Sequence, residues 1–506
     1  RMNEPRSFRF ARHFRWSLLG QASTAIASFL ATPYLIGHLG LEVYGLYVIL
    51  QSATNYLTLA ALGAGGATVS HVAAARADGD HPRLLKVLRY SFLMHGPTVL
   101  VAGVVAASAA RPLLSGLFQV PEHLLGSGAR VLLGAAAGAV FFSLTQAAVN
   151  ALQGLQRFGA SNTVTFVQSG LLPLVCVLLV RAGGGVESMA LAYALIQAAG
   201  AAWAWAWLAR AVTHEAKHAV RHQEPLDFGG FASWSFSQWL GQLAWIVSFQ
   251  LDRVFAAQHV SLAAMTLYAV PVGLLQRLNM IPATFNSVAI PMLTELRGPS
   301  VRTDLQRLYL RQFRLLLLLG LPGPILLFSF MPQFLSLWLG GQFGDASVWP
   351  ARLQVLAQAC ILFIAMPSAA ALALGTPWAL PGLAWAQALL SVAAWSVLVP
   401  RWGLVGVGWG ALLAQAIPTA VYLALVNRRV LHLDLGRFFS QSVLAPASCA
   451  GILLAVVFPF HASATGWLSL AAMCAGGMVV YALAAWVLLG ADDRALVRRY
   501  IDRQRP

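Results

Sequence analysis

An all-α, polytopic membrane protein is the fold class this sequence predicts. Composition, the length of its apolar runs and the placement of its charges predict it together. Only 10% of the 506 residues are charged, 58% are hydrophobic, and mean hydropathy is +0.70. A soluble globular chain carries about 25% charged residues, so a water-soluble enzyme does not fit. The apolar content also excludes a disordered chain. Apolar runs recur from end to end, which excludes a single-anchor receptor. They lack the polar–apolar alternation of a transmembrane β-barrel.

A helix needs about 20 apolar residues to cross the hydrocarbon core. Windows of that length give about fourteen transmembrane helices: 16–37, 44–70, 89–110, 128–150, 161–181, 189–210, 231–252, 262–290, 311–331, 351–375, 380–399, 404–426, 441–460 and 467–490. Only Gly375, Thr376, Pro377 and Trp378 mark the turn between the tenth and eleventh. An even count puts both termini on one side. Both are Arg-rich, with Arg6, Arg9, Arg12 and Arg15 at the start and Arg494, Arg498, Arg499, Arg503 and Arg505 at the end. With both termini cytoplasmic, Arg111, Arg130, Arg181, Arg253, Arg352 and Arg401 fall outside and Arg277 falls mid-span. The remaining Lys and Arg, of 33 in all, lie inside. Basic residues orient helices in this way, so most of the net charge of +16 is topological and no nucleic-acid partner is expected. Loops such as 111–127 and 332–350 are too short to hold a soluble domain.

Cys176, Cys360, Cys449 and Cys474 sit inside apolar runs without metal-ligand spacing. They read as packing residues rather than disulfides or ligands, and no metal or other cofactor is expected. A weak repeat has an offset of about 221 residues: Leu19-Gly20-Gln21 matches Leu240-Gly241-Gln242, and Leu46-Tyr47 matches Leu267-Tyr268. Six helices separate equivalent positions, so the repeat is parallel. It suggests an N-terminal six-helix lobe (1–225), a C-terminal six-helix lobe (226–430) and an extra helix pair with a basic tail (431–506). Transporters are commonly built so, with the site between halves.

Polar stripes mark equivalent helices of the two lobes. The first span carries Ser17, Gln21, Thr24, Ser28 and Thr32 on one face, and the second carries Gln51, Asn55 and Thr58. The seventh carries Ser235, Gln238, Gln242 and, further along, Asp252. The eighth carries Thr266, Gly273, Arg277 and Thr284. Any one of these residues is explained by interhelical hydrogen bonding, worth about 0.6–2 kcal/mol. Equivalent stripes on both lobes point instead to a hydrophilic cavity.

Arg277 is the sharpest residue. A mid-bilayer arginine costs at least about 2.5–3.5 kcal/mol on insertion scales, so it needs a partner or water. Two readings stand side by side. In one, Asp252 pairs with it. In the other, its planar fork grips a phosphate. Asp252 is the one carboxylate positioned to serve a cation pump, and its place beside Arg253 at a span end reads as interfacial. His71 and His95 read as packing or interfacial residues, with proton coupling as the functional alternative. Pro271 and Pro282 flank Arg277 and would kink its helix.

Certain segments carry a family resemblance. Pro33-Tyr34-Leu35-Ile36 with Leu39-Gly40-Leu41-Glu42-Val43-Tyr44-Gly45-Leu46-Tyr47 resembles the first helix–loop–helix of bacterial polysaccharide flippases of the Wzx type. Leu152-Gln153-Gly154-Leu155-Gln156-Arg157-Phe158, Asp252, Tyr268 and Pro291 fit the same pattern. The resemblance spans roughly residues 10–310. It implies the MOP exporter superfamily, two six-helix bundles and alternating access. It also implies a cargo of undecaprenyl-pyrophosphate-linked oligosaccharide for O-antigen, lipopolysaccharide or exopolysaccharide synthesis in the bacterial inner membrane. A polysaccharide polymerase and other assembly proteins are the implied partners, and the last two helices are the implied groove for the lipid tail. Arg277 alone is clearly deep, fewer basic residues than peptidoglycan-precursor flippases of that superfamily show.

The residues expected to meet cargo are Arg277, Gln21, Thr24, Gln51, Asn55, Gln238 and Gln242, with Asp252, Arg253 and His95 in support. Two other functions stay open. A multidrug exporter of the same fold would favour acidic cavity residues. A membrane-embedded glycosyltransferase or acyltransferase would need a catalytic acid or histidine at the surface, whereas Glu42 and Glu122 stand isolated. The outer loops are also short, so the chain is not expected to be an enzyme, and no phosphate-binding GxxxxGK[ST] motif is present, so direct ATP drive is not expected.

Overall fold

The computed structural model describes residues 24–216, 228–295, 302–376 and 379–488, and every regular element among them is helical. Nine described helical stretches are long and apolar enough to cross a bilayer, or ten if the bent pair Leu41–Ala61 and Ala64–Ala77 is one span. The chain is a multi-pass membrane protein. Both Arg-rich termini and Gln21 lie outside the described residues, as do Pro377, Trp378 and the side chain of Thr284. Packing divides the chain into two units, one ending at Val270 and the other starting at Pro271.

In the first unit the principal helices are α1 (Thr24–Leu39), α2 (Leu41–Thr58), α3 (Ala64–Ala77), α4 (His81–His95) and α5 (Pro97–Ser108). They are followed by α6 (Leu125–Gly154), α7 (Phe158–Arg181), α8 (Val186–Glu215), α9 (Phe228–Gln250), α10 (Asp252–His259) and the first part of α11 (Leu262–Leu275). The axis is α6, which packs against α2, α3, α5, α7 and α8. Small residues allow it, as they do between membrane helices generally. A Cβ at Gly138 would lie 2.2 Å from the Tyr193 ring, and one at Gly134 would lie 2.8 Å from Ala190. Gln168 of α7 donates to Gln197 of α8 at 3.0 Å, and Trp205 donates to the Leu144 carbonyl at 3.1 Å.

The second expected span is two helices. After the 3-10 turn Leu59–Ala61, Leu62 (φ 49°) and Gly63 (φ 72°) adopt left-handed backbone, and α3 departs at 51°. The cause is α9, whose backbone crosses the break. A Cβ at Gly63 would sit 2.3 Å from the Ser235 carbonyl oxygen and 2.5 Å from the Trp239 nitrogen. Trp239 donates its indole N–H to the Leu59 carbonyl at 2.9 Å, satisfying an acceptor near the break.

In the second unit the helices are α12 (Met280–Glu295), α13 (Arg302–Gly320), α14 (Pro322–Leu339), α15 (Asp345–Ala373), α16 (Ala379–Leu425), α17 (Leu444–Val457) and α18 (Trp467–Leu488). Tyr309, Phe313, Met366 and Phe438 are fully buried at its core. The turn expected near Gly375 is present: Gly375 has φ 78° and the Thr376 N–H reaches back to the Ala371 carbonyl at 2.9 Å. Within α16, Gly403 (φ 54°, ψ −132°) breaks the helix at the expected division. The C-terminal pair packs on α13 and α14 through Leu318, Phe330, Cys449, Leu453 and Tyr481. The Tyr481 hydroxyl donates to the Leu318 carbonyl at 2.9 Å.

One expected loop is helical. The sequence predicts a loop from 332 onward, yet α14 runs through Pro332 to Leu339. Pro332 removes the bond that would reach the carbonyl four residues back. That acceptor belongs to Phe328, and the Arg352 Nε–H donates to it at 2.9 Å. Arg352, expected as a loop charge, is therefore buried (7% exposed), and its guanidinium also lies 5.2 Å from the Phe328 ring and 5.3 Å from that of Trp349.

Candidate functional site

Polar residues of the first unit converge where α2 breaks. A cavity of about 280 Å³ opens there, floored by the small residues Ala61, Gly63, Ala64 and Gly65. Asn55 and Thr58 enter from the end of α2, His95 from the end of α4, and Gln242 from α9. Ser143, Gln146 and Asn150 enter from one face of α6 at spacings of three and four. No lining residue carries a formal charge, counting His95 as neutral.

Several of these groups are held in place. The His95 Nδ1 is 2.9 Å from the Ser91 carbonyl oxygen, to which it donates. Ser91 accepts a hydrogen bond from Thr68 at 2.7 Å, which ties α4 to α3. Asn150 fits closely because Gly65 has no side chain: a Cβ there would lie 2.7 Å from its amide nitrogen. Ser143, 1% exposed, has no hydrogen-bond partner for its hydroxyl among the described residues.

Of the candidate residues, the structure brings Asn55, His95 and Gln242 to one cavity. Gln51 and Gln238 lie one turn away on the same helices and are exposed. Thr24 is buried at the start of α1. Gln21 lies outside the described residues. Ser143, Gln146 and Asn150 were missed, although their helical spacing is present in an otherwise Ala-rich span.

Asp252 and Arg253 form a second polar cluster, held within the protein. The helix turns at Leu251, and Asp252 opens α10 rather than ending the preceding span. Both residues are buried, at 2% and 7% exposed. Tyr268 donates to Asp252 Oδ2 at 2.8 Å, and the Arg253 backbone N–H donates to Oδ1 at 2.9 Å. The Arg253 guanidinium donates to Ser52 at 3.3 Å, and the Tyr56 hydroxyl donates to the Gln250 carbonyl at 2.7 Å. These bonds pin α2 to the junction of α9 and α10.

Arg277 belongs to the second unit. Its helix is interrupted by a 3-10 turn, Gln276–Asn279, between α11 and α12, whereas Pro271 and Pro282, the expected kink positions, lie within those two helices. Such a turn within a span is a recurrent mark of a hinge or functional site. The Arg277 side chain is exposed and makes no ion pair or hydrogen bond with the described residues of its own unit. Beside this turn, a cavity of about 300 Å³ lies between α12 and α15, lined by Asn279, Asn286, Ser368 and mainly apolar residues. The Asn279 and Asn286 side-chain oxygens are buried there without a partner among the described residues.

The chain shares its fold with solved transporters of the MOP superfamily. A multidrug resistance MATE family transporter of that superfamily, inward-facing, superposes with a TM-score of 0.66 at 15% identity, covering 84% of this chain and 100% of its own. The lipid II flippase MurJ, inward closed, superposes with 0.69 at 11% identity, covering 96% and 100%. A MOP superfamily transporter from Pyrococcus furiosus gives 0.56 at 16% identity, covering 84% and 96%. No curated protein matches the sequence. Residues 10–297 match the polysaccharide biosynthesis protein family, and the chain belongs to that family.

Proposed function

We propose that the chain is a flippase for an oligosaccharide linked to undecaprenyl pyrophosphate, moved to the outer leaflet of a bacterial inner membrane for cell-surface polysaccharide synthesis. Arg277 carries the reading. It is an exposed guanidinium in a helix interruption, with no partner among the described residues of its own unit. A guanidinium so placed can take a diphosphate bidentately. The family membership supplies the polysaccharide context. The neutral cavity in the first unit favours an uncharged saccharide over the cationic cargo of a drug exporter, which would call for a carboxylate. In this reading both termini are cytoplasmic, and the fourteen spans form lobes at 1–225 and 226–430 with an added pair at 431–506.

Native mass spectrometry of the purified chain with undecaprenyl pyrophosphate tests the headgroup contact. The wild type should retain the lipid, and Arg277→Ala should lose it while Arg277→Lys retains part. Equal retention by wild type and Arg277→Ala would remove the proposal.

A further inference from the structure

We infer that the cavity at the α2–α3 break is a saccharide site that takes one uncharged sugar residue. The inference rests on the lipid-linked saccharide reading and adds where the sugar portion of the cargo is recognised. Size is the first argument. A volume of about 280 Å³ exceeds what one or two waters need and lies just below the usual range of small-molecule pockets, which leaves room for one sugar ring but not for an oligosaccharide.

Chemistry is the second argument. Sugar hydroxyls donate and accept, and so must their site. The amides of Asn55, Asn150 and Gln242 offer both functions, and Ser143 adds a hydroxyl. His95 donates through Nδ1 to the Ser91 carbonyl, which leaves Nε2 of the neutral ring as an acceptor. Phe142, also in the wall, supplies an apolar face for ring C–H groups. An anion would call for a cation in this wall, and a divalent metal for carboxylates; the lining has neither.

The third argument is the Ser143 hydroxyl. It is 1% exposed, lines the cavity and has no partner among the described residues. A buried hydroxyl left unpaired is costly, and a ligand hydroxyl would supply the missing bond.

Saturation-transfer NMR on the full chain in lipid nanodiscs tests the site, with glucose, galactose, mannose and N-acetylglucosamine as probes. At least one of these sugars should receive transfer from the wild type. Ser143→Leu, which fills the cavity, should abolish that transfer. Asn55→Ala, at a less buried position, should weaken it even if Ser143→Leu folds poorly. Transfer to none of the four sugars, or transfer of wild-type strength in both variants, overturns the inference. Sodium-23 relaxation that both variants suppress, without sugar transfer, would assign the cavity to a monovalent cation and overturn it as well. The two readings separate cleanly. A chain that flips lipid-linked saccharide without this sugar contact loses only the inference. A chain that binds sugars here but moves no lipid-linked saccharide keeps the cavity and loses the flippase reading.

Discussion

Single residues in this fold compensate for specific backbone defects. Arg352 is the clearest case, because its guanidinium accompanies a carbonyl that Pro332 cannot serve. The pair should therefore be energetically coupled. Arg352→Met should destabilise the wild type by about 1–3 kcal/mol, the cost of an unmade bond at a buried acceptor. In a Pro332→Ala background, where the substitution restores the amide N–H, the loss should be smaller. A double-mutant cycle by thermal unfolding in detergent measures the difference. Strict additivity would show that the two residues act independently. Arg352 also shows where sequence reading stops. A basic residue near a proline reads as a loop charge, because nothing in the sequence reveals which carbonyl a distant side chain will meet. The sequence does not show the contacts of Asp252 for the same reason. Its partner Tyr268 lies sixteen residues on, in a separate helix, and only folding brings the two together.

At the scale of elements, the break between α2 and α3 shapes the cavity. Gly63 combines a left-handed φ of 72° with backbone of α9 where a Cβ would sit. Gly63→Ala should cost more than about 1 kcal/mol through backbone strain alone, with the collision added. A lowered melting temperature in detergent would show it, whereas an unchanged one would mean that α9 moves aside freely. The stripes on α2 and α9 were legible because Asn55, Thr58, Gln238 and Gln242 recur at helical spacing. The break was not legible. Leu62-Gly63 lies in an apolar run whose hydropathy continues smoothly, and only the crossing of α9 makes the glycine obligatory. The α6 face of Ser143, Gln146 and Asn150 was readable in principle, but small polar residues among alanines look like ordinary helix packing.

For the whole molecule, the apolar helices and their family were legible from composition and a few short segments. The asymmetry of Lys and Arg predicts a sidedness that labelling can check. In inside-out vesicles, protease should reach tags at both termini, and in right-side-out vesicles neither. A split result would break the even-span topology. The proposed function needs one more element at this scale, a charge that meets cargo, and Arg277 is the residue proposed for it. Reconstituted vesicles carrying undecaprenyl-pyrophosphate-linked saccharide in one leaflet measure that most directly. The wild type should speed appearance of the saccharide on the opposite leaflet, and Arg277→Ala should slow it by about tenfold or more, as expected for losing a charge-assisted contact. Translocation by Arg277→Ala at the wild-type rate would contradict the account.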